Sequence, residues 1–86
     1  MKLNKNFIIH KTNSETILVP TGEADFSGIV RGNDTLYVIL ELLKDETDET
    51  KIVTAIQNKF DAPDETIIND VKKAIAELRK IGALDE

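Results

Sequence analysis

Eighty-six residues with a net charge of −5 and no cysteine fit one small domain, 1–86, without a disulfide or a thiolate metal site. The acidic balance argues against tight nonspecific binding to phosphate backbones, whose affinity comes from lysine and arginine displacing counterions. No apolar run approaches the roughly 20 residues of a membrane span. The opening Met1-Lys2-Leu3-Asn4-Lys5-Asn6 lacks the apolar stretch of a secretion signal, so a cytoplasmic protein is expected.

Taken in chain order, Phe7–Thr12 and Thr16–Pro20 are rich in β-formers and separated by Asn13-Ser14-Glu15, which reads as a hairpin. Alternation puts Phe7 and Ile9 on one face and Ile8 and His10 on the other. Pro20 has no N–H for a ladder and should end its strand or sit on a free edge. A polar connection leads to a third strand, Phe26 to Arg31, in which Phe26, Gly28 and Val30 alternate with Ser27, Ile29 and Arg31. Gly28 within it signals a bulge or the close approach of another backbone.

Gly32-Asn33 then turns the chain into a first helix, Asp34 to Leu43, with Asn33 as its cap. Leu36, Ile39, Leu40 and Leu43 form its stripe, and Val38 and Leu42 widen it, which marks this helix as the most buried. After the charged break Lys44–Glu49, with Thr47 or Asp48 as cap, a second helix places Ile52, Val53, Ile56 and Phe60 on one face. Pro63 ends that segment and suits the first turn of a third helix. This helix runs from Asp64 to Ile81 on a stripe of Ile67, Ile68, Val71, Ala74, Ile75, Leu78 and Ile81. Gly82 is its stop, and Ala83-Leu84 folds back on the core. At about 100° per residue, Lys72 and Arg79 border the stripe on one side and Asp70 and Glu77 on the other. The expected fold class is α+β, three strands and then three helices.

Catalytic and cofactor chemistry has little to stand on. The one histidine, His10, lies in a strand with no second ligand at metal spacing and reads as a surface residue. Ser14 and Ser27 lie outside any nucleophile-elbow pattern. No phosphate-cradling glycine loop and no calcium loop occur. The plentiful carboxylates sit in caps and on helix surfaces. A non-enzyme without a cofactor is expected.

Phe26-Ser27-Gly28-Ile29-Val30-Arg31-Gly32-Asn33-Asp34-Thr35, followed by Ile39-Leu40 and Leu42-Leu43, resembles the core of the PqqD family, peptide-recognition domains of ribosomal peptide natural-product biosynthesis. There a strand leads into Leu-Asn-Glu-Thr and then Ile-Trp-x-x-Leu. Asn33 and Thr35 fall on the family's Asn and Thr. Thr50, Ile52 and Ile56 resemble its second-helix pattern, and Phe60–Glu65, Asp70-Val71, Leu78, Gly82 and Leu84 its closing segment. The chain departs from the pattern at Leu40 in place of tryptophan, Gly32 in place of leucine, and Asp45-Glu46 in place of Asp-Gly.

The resemblance implies a winged helix-turn-helix-like domain, with a three-stranded antiparallel sheet packed on three helices. It also implies a role: binding the leader of a precursor peptide as an added strand along the third strand, the third helix closing a groove, and presenting it to a modifying enzyme such as a radical S-adenosylmethionine maturase. The strand-edge candidates are then Phe26, Ser27, Gly28, Ile29, Val30 and Arg31. Backbone pairing contributes about 0.5–1.5 kcal/mol per bond against the roughly 8 kcal/mol of micromolar affinity, so buried leader side chains must add to it. Ile68, Val71, Ile75 and Leu78 are the candidates to receive them, although Val71 and Leu78 read better as core. Arg31, Lys72 and Arg79 are candidates to meet leader carboxylates.

Two other readings share the element order. A winged-helix nucleic-acid or regulatory domain would insert the third helix into a groove, against which Asp70, Glu77 and the acidic total argue. A self-associating subunit would pair edge strands into a homodimer.

Overall fold

The computed structural model describes residues 1–24 and 28–86. Among the described residues, five strands and three helices follow in order: β1 (Lys2–Leu3), β2 (Phe7–Lys11), β3 (Thr16–Pro20), β4 (Val30–Gly32), α1 (Asp34–Leu42), α2 (Glu49–Lys59), α3 (Asp64–Lys80) and β5 (Leu84–Asp85). The expected three-stranded antiparallel sheet followed by three helices is present as β2-β3-β4 and α1–α3.

The hairpin holds Phe7 opposite Pro20 and Lys11 opposite Thr16, and Thr12 ends the pairing by accepting the Ser14 and Glu15 amides on its hydroxyl. Phe7 is buried, Ile9 half-buried, and Ile8 and His10 exposed, the alternation a one-sided sheet requires. β4 pairs with β3 through Gly32 opposite Thr16, Arg31 opposite Ile17 and Val30 opposite Leu18. Residues directly opposite share a face, so Val30 and Gly32 face the helices with buried Leu18 and Thr16.

The third strand is shorter than the expected Phe26 to Arg31 and ends one residue later. Phe26 and Ser27 lie outside the described residues. Gly28 has a φ of 132°, a conformation that glycine reaches without a Cβ penalty and that interrupts an extended ladder. Pairing accordingly starts only at Val30.

Helix boundaries follow the caps. The Asn33 side chain accepts from the Leu36 amide and that of Asp48 from the Lys51 amide, so Asp48, not Thr47, caps α2. Leu43 and Ile81 are C-caps, one residue past helices expected to include them. At the end of α3, Gly82 has a φ of 74°, its amide donates to the Arg79 carbonyl, and the Ala83 amide donates to the Leu78 carbonyl. This paired arrangement satisfies two otherwise orphaned carbonyls.

Ala83 is fully buried, and the chain beyond it forms a second, two-stranded sheet: Leu3 opposite Leu84 and Lys2 opposite Asp85. The core joins Phe7 and Leu18 of the sheet to Ile39, Leu40, Leu43, Ile52, Ile56, Ile67, Val71, Ile75 and Leu78 of the helical segment. Burying each large aliphatic side chain contributes about 1.5–3 kcal/mol. Among the described residues, no helix is long and apolar enough to cross a membrane.

Candidate functional site

The three-stranded sheet runs in the order β2-β3-β4, so β4 is an outer strand. In an antiparallel pair, alternate residues direct N–H and C=O at the partner strand and the rest turn theirs outward. The outward groups of β4 open on a groove of about 330 Å³. One wall is Val30, Arg31, Gly32 and the capping Asn33, continued by Thr35, Leu36 and Ile39 of α1. The other is Asp70, Lys73, Ala74, Glu77 and Leu78 of α3. The floor is apolar, with Ile39 and Leu78 buried at 1% exposure each and Val30, Leu36 and Ala74 half-buried above them. The rim of α3 is charged, with Asp70, Lys73 and Glu77 all exposed.

Local sequence accounts for each wall. The Asn33 cap starts α1 one residue after β4, so Leu36 and Ile39 lie directly beside the strand edge. Gly32 permits that approach: a Cβ there would sit 2.9 Å from the Leu36 Cβ and 3.2 Å from its Cγ. On the far wall, Ala74 is a small residue between two longer ones, which leaves the groove open at its middle.

The pattern of the family described as coenzyme PQQ synthesis protein D (PqqD) matches residues 15–84. The chain belongs to the PqqD family. Two solved structures share its fold. The first, TbiB1 in complex with the TbiA(beta) leader peptide, is 18% identical, with a TM-score of 0.77 over 99% of this chain and 95% of that one. The second, lasso peptide synthetase B1 complexed with the leader peptide, is 15% identical, with a TM-score of 0.72 over 95% of this chain and 93% of that one. No curated protein matches.

In this PqqD-family chain the sequence-derived candidates separate into groups. Val30, Arg31 and Leu78 line the groove. Gly28 and Ile29 lie before β4 and border a shallow depression with Val19, Pro20, Thr21, Gly22 and Ala24. Phe26 and Ser27 lie outside the described residues. Val71 and Ile75 belong to the core, at 0% and 1% exposure. Ile68, Lys72 and Arg79 are absent from the lining among the described residues. The Arg79 guanidinium instead makes a two-pronged contact with Glu86, at 2.8 to 3.1 Å. That contact holds the Glu86 carboxyl below its ordinary range and raises the Arg79 pKa.

The reason for the regrouping lies in the width of the α3 stripe. Ile67, Val71, Ile75 and Leu78 are all buried, so only the edges of the stripe remain to border a groove. The edge facing β4 is the acidic one, Asp70 and Glu77, while Lys72 and Arg79 occupy the opposite edge. Sequence reasoning identified both flanks but had no signal for which faces the strand. It also did not select Gly32, Asn33, Thr35, Leu36, Ile39, Lys73 and Ala74 as groove residues. For Asn33 and Leu36 the cap and stripe patterns were the available signals.

Two basic side chains of the sheet are already partnered. Arg31, 63% exposed in its side chain, lies 3.6 Å from Glu15, and Lys11 lies 3.9 Å from Asp34 with its ammonium 4.9 Å from the Tyr37 ring centre. Among the described residues, Asp70, Lys73 and Glu77 make no ion pair within 4.0 Å. Asp70, Lys73 and Glu77 are thus all available to a ligand, whereas Arg31 on β4 is shared.

Proposed function

We propose that this PqqD-family chain is a non-catalytic recognition domain that binds the leader segment of a ribosomally synthesised precursor peptide and presents it to a modifying enzyme. Residues 1–86 act as one unit in the cytoplasm, and a radical S-adenosylmethionine maturase is the enzyme class in view. The leader enters as a fourth strand along β4. The observation that carries this reading is the coincidence of an outer strand with an apolar-floored groove on its free side. The two solved structures with this fold, both described as leader-peptide complexes, support it, as does membership of the PqqD family.

The energetics ask for both features. A strand added to β4 forms about two to four backbone bonds of about 0.5–1.5 kcal/mol each, short of the roughly 8 kcal/mol of micromolar binding. Ordering a flexible leader opposes binding further. One or two leader side chains buried against Leu36, Ile39 and Leu78 supply about 1.5–3 kcal/mol each. Val30, Arg31 and Gly32 act as the pairing edge, Ile29 extends it as far as the break at Gly28, and Ala74 and Leu78 receive the side chains.

The test is a two-dimensional NMR titration of labelled protein with the leader of the short peptide encoded nearest to its gene. Shifts confined to Gly28–Asn33 and the Asp70–Leu78 wall are the expected result. A scrambled leader and a DNA duplex at low salt serve as controls. Shifts with the duplex but not the leader would transfer the chain to the nucleic-acid class.

A further inference from the structure

The groove is built to choose among peptides, and its wall indicates the chemistry chosen. On α3, at about 100° per residue, Asp70 and Glu77 project within about 20° of each other, with Ala74 about 40° toward the floor and Lys73 about 60° toward solvent. The two carboxylates therefore lie between Lys73 and the apolar floor. They are separated along the helix by about 10 Å at 1.5 Å per residue, and Ala74 forms the gap between them. The gap opens on Leu36, Ile39 and Leu78.

An added strand presents alternate side chains to the helix side, about 6.6 Å apart for residues i and i+2 and about 13 Å for i and i+4. For a strand that runs along α3, residues i and i+4 emerge beside Asp70 and Glu77 when residue i+2 enters the gap over Ala74. Lysine and arginine arms are long and flexible enough to absorb the remaining few ångströms. We infer that the groove selects a leader segment of the form basic-x-aliphatic-x-basic, the aliphatic side chain seated over Ala74 and the two cations facing Asp70 and Glu77. The pattern reads the same in both chain directions, so it holds for a parallel or an antiparallel leader. It rests on the strand-addition reading above, and it gives the leader the charge opposite to this chain's net −5, which also favours encounter.

The alternative polarity, an acidic leader held by the groove's cations, fits less well. Arg31 is engaged by Glu15, and Lys73 stands on the solvent side of both carboxylates.

The test uses a displayed library of random peptides selected on the intact protein. The most enriched peptide is then titrated calorimetrically against wild type, against the Asp70→Asn/Glu77→Gln variant, and against Asp45→Asn/Asp61→Asn, which removes the same charge away from the groove. Expected are clones carrying two basic residues four apart around an aliphatic one. The groove variant should weaken binding about tenfold, the sum of two rim ion pairs, with the control within about twofold. The tenfold difference should shrink at high salt. A consensus with acidic or neutral flanks, or equal losses in the two variants, overturns the inference. The selected peptide's NMR shifts separate the two levels. Shifts at Val30–Gly32 without a basic preference leave strand addition standing and defeat only the inference. No enrichment at all, or shifts remote from β4, defeats both.

Discussion

Gly32 and Leu36 are in van der Waals contact across the corner where β4 becomes α1, so closely that a Cβ on Gly32 would lie 2.9 Å from the Leu36 Cβ. The PqqD family places leucine where this chain has Gly32, and here the Leu36 side chain fills that space from the next turn. The Leu36 Cβ is fixed to its helix, so a larger residue at 32 must move the helix or the strand. Gly32→Ala is expected to destabilise the fold by about 1–3 kcal/mol, at about 4–8 °C of thermal midpoint per kcal/mol for a domain of this size. Differential scanning calorimetry measures it, and an unchanged midpoint would mean that the corner yields freely.

Ala74 separates binding from stability. It is half-buried on the groove side of α3, with room above it that the proposed leader side chain occupies. Ala74→Leu should fill the gap and exclude that side chain, removing about 1.5–3 kcal/mol of burial. Leader affinity should then fall tenfold or more by the roughly 1.4 kcal/mol per decade relation, while the thermal midpoint stays within a few degrees. Calorimetric titration beside a melting curve reads both quantities, and leader affinity equal to wild type would show that the gap is not used.

Thr16 offers a gain of stability. Its side chain is fully buried on the helix-facing side of β3, opposite Gly32 of β4, and its hydroxyl has no hydrogen-bond partner among the described residues. An unpaired buried hydroxyl costs about 1–3 kcal/mol. Thr16→Val keeps the shape and removes the polar atom, so urea unfolding should show a stability rise of about 1 kcal/mol with an unchanged slope. A loss of stability would indicate that the hydroxyl is satisfied in solution.

The pH dependence follows from three side-chain contacts. The Glu86 carboxyl is lowered by hydrogen bonding to Arg79, and that of Glu41 by hydrogen bonding to Lys44 first and Tyr37 second. A lowered carboxylate contributes stability that is present above its unfolded pKa and is lost as pH falls through the folded value. Tyr37 is raised, by hydrogen bonding to Glu41 and then by its charge. Its contribution is present at neutral pH and disappears as pH rises through the raised value, above its ordinary 10.0. Stability from these groups should therefore be flat near neutrality and fall at both extremes. Glu86 is exposed and Glu41 and Tyr37 are half-buried at the surface, so the changes are small and salt-screened. Melting Glu86→Gln and Tyr37→Phe beside wild type should show a Glu86 difference that closes in acid and a Tyr37 difference that closes in alkali. Differences that stay constant with pH would rule out these contacts.

Local signals carried most of the fold. The Asn33 and Asp48 caps, the Gly82 stop and the hairpin through Thr12 are short-range devices, each written in neighbouring residues. The pairing of Lys2–Leu3 with Leu84–Asp85 was not legible, because two residues carry no periodicity and their partners lie at the other end of the chain. The groove was half legible. The edge strand and both flanks of α3 were visible, but the direction each flank faces depends on how α3 rotates against β4, which is set by the whole core. Gly28 signalled an irregularity, and its positive φ delays the ladder to Val30.

Strand addition at β4 makes a direct claim about individual backbone amides. Hydrogen exchange of labelled protein, with and without the leader peptide at saturation, tests it residue by residue. On binding, the outward-turned amides of Val30–Gly32 should slow markedly, in alternation along the strand, while the amides already bonded to β3 change little. Saturable binding that leaves every β4 amide exchanging at its free rate would contradict it, and the leader would have to bind somewhere other than this edge.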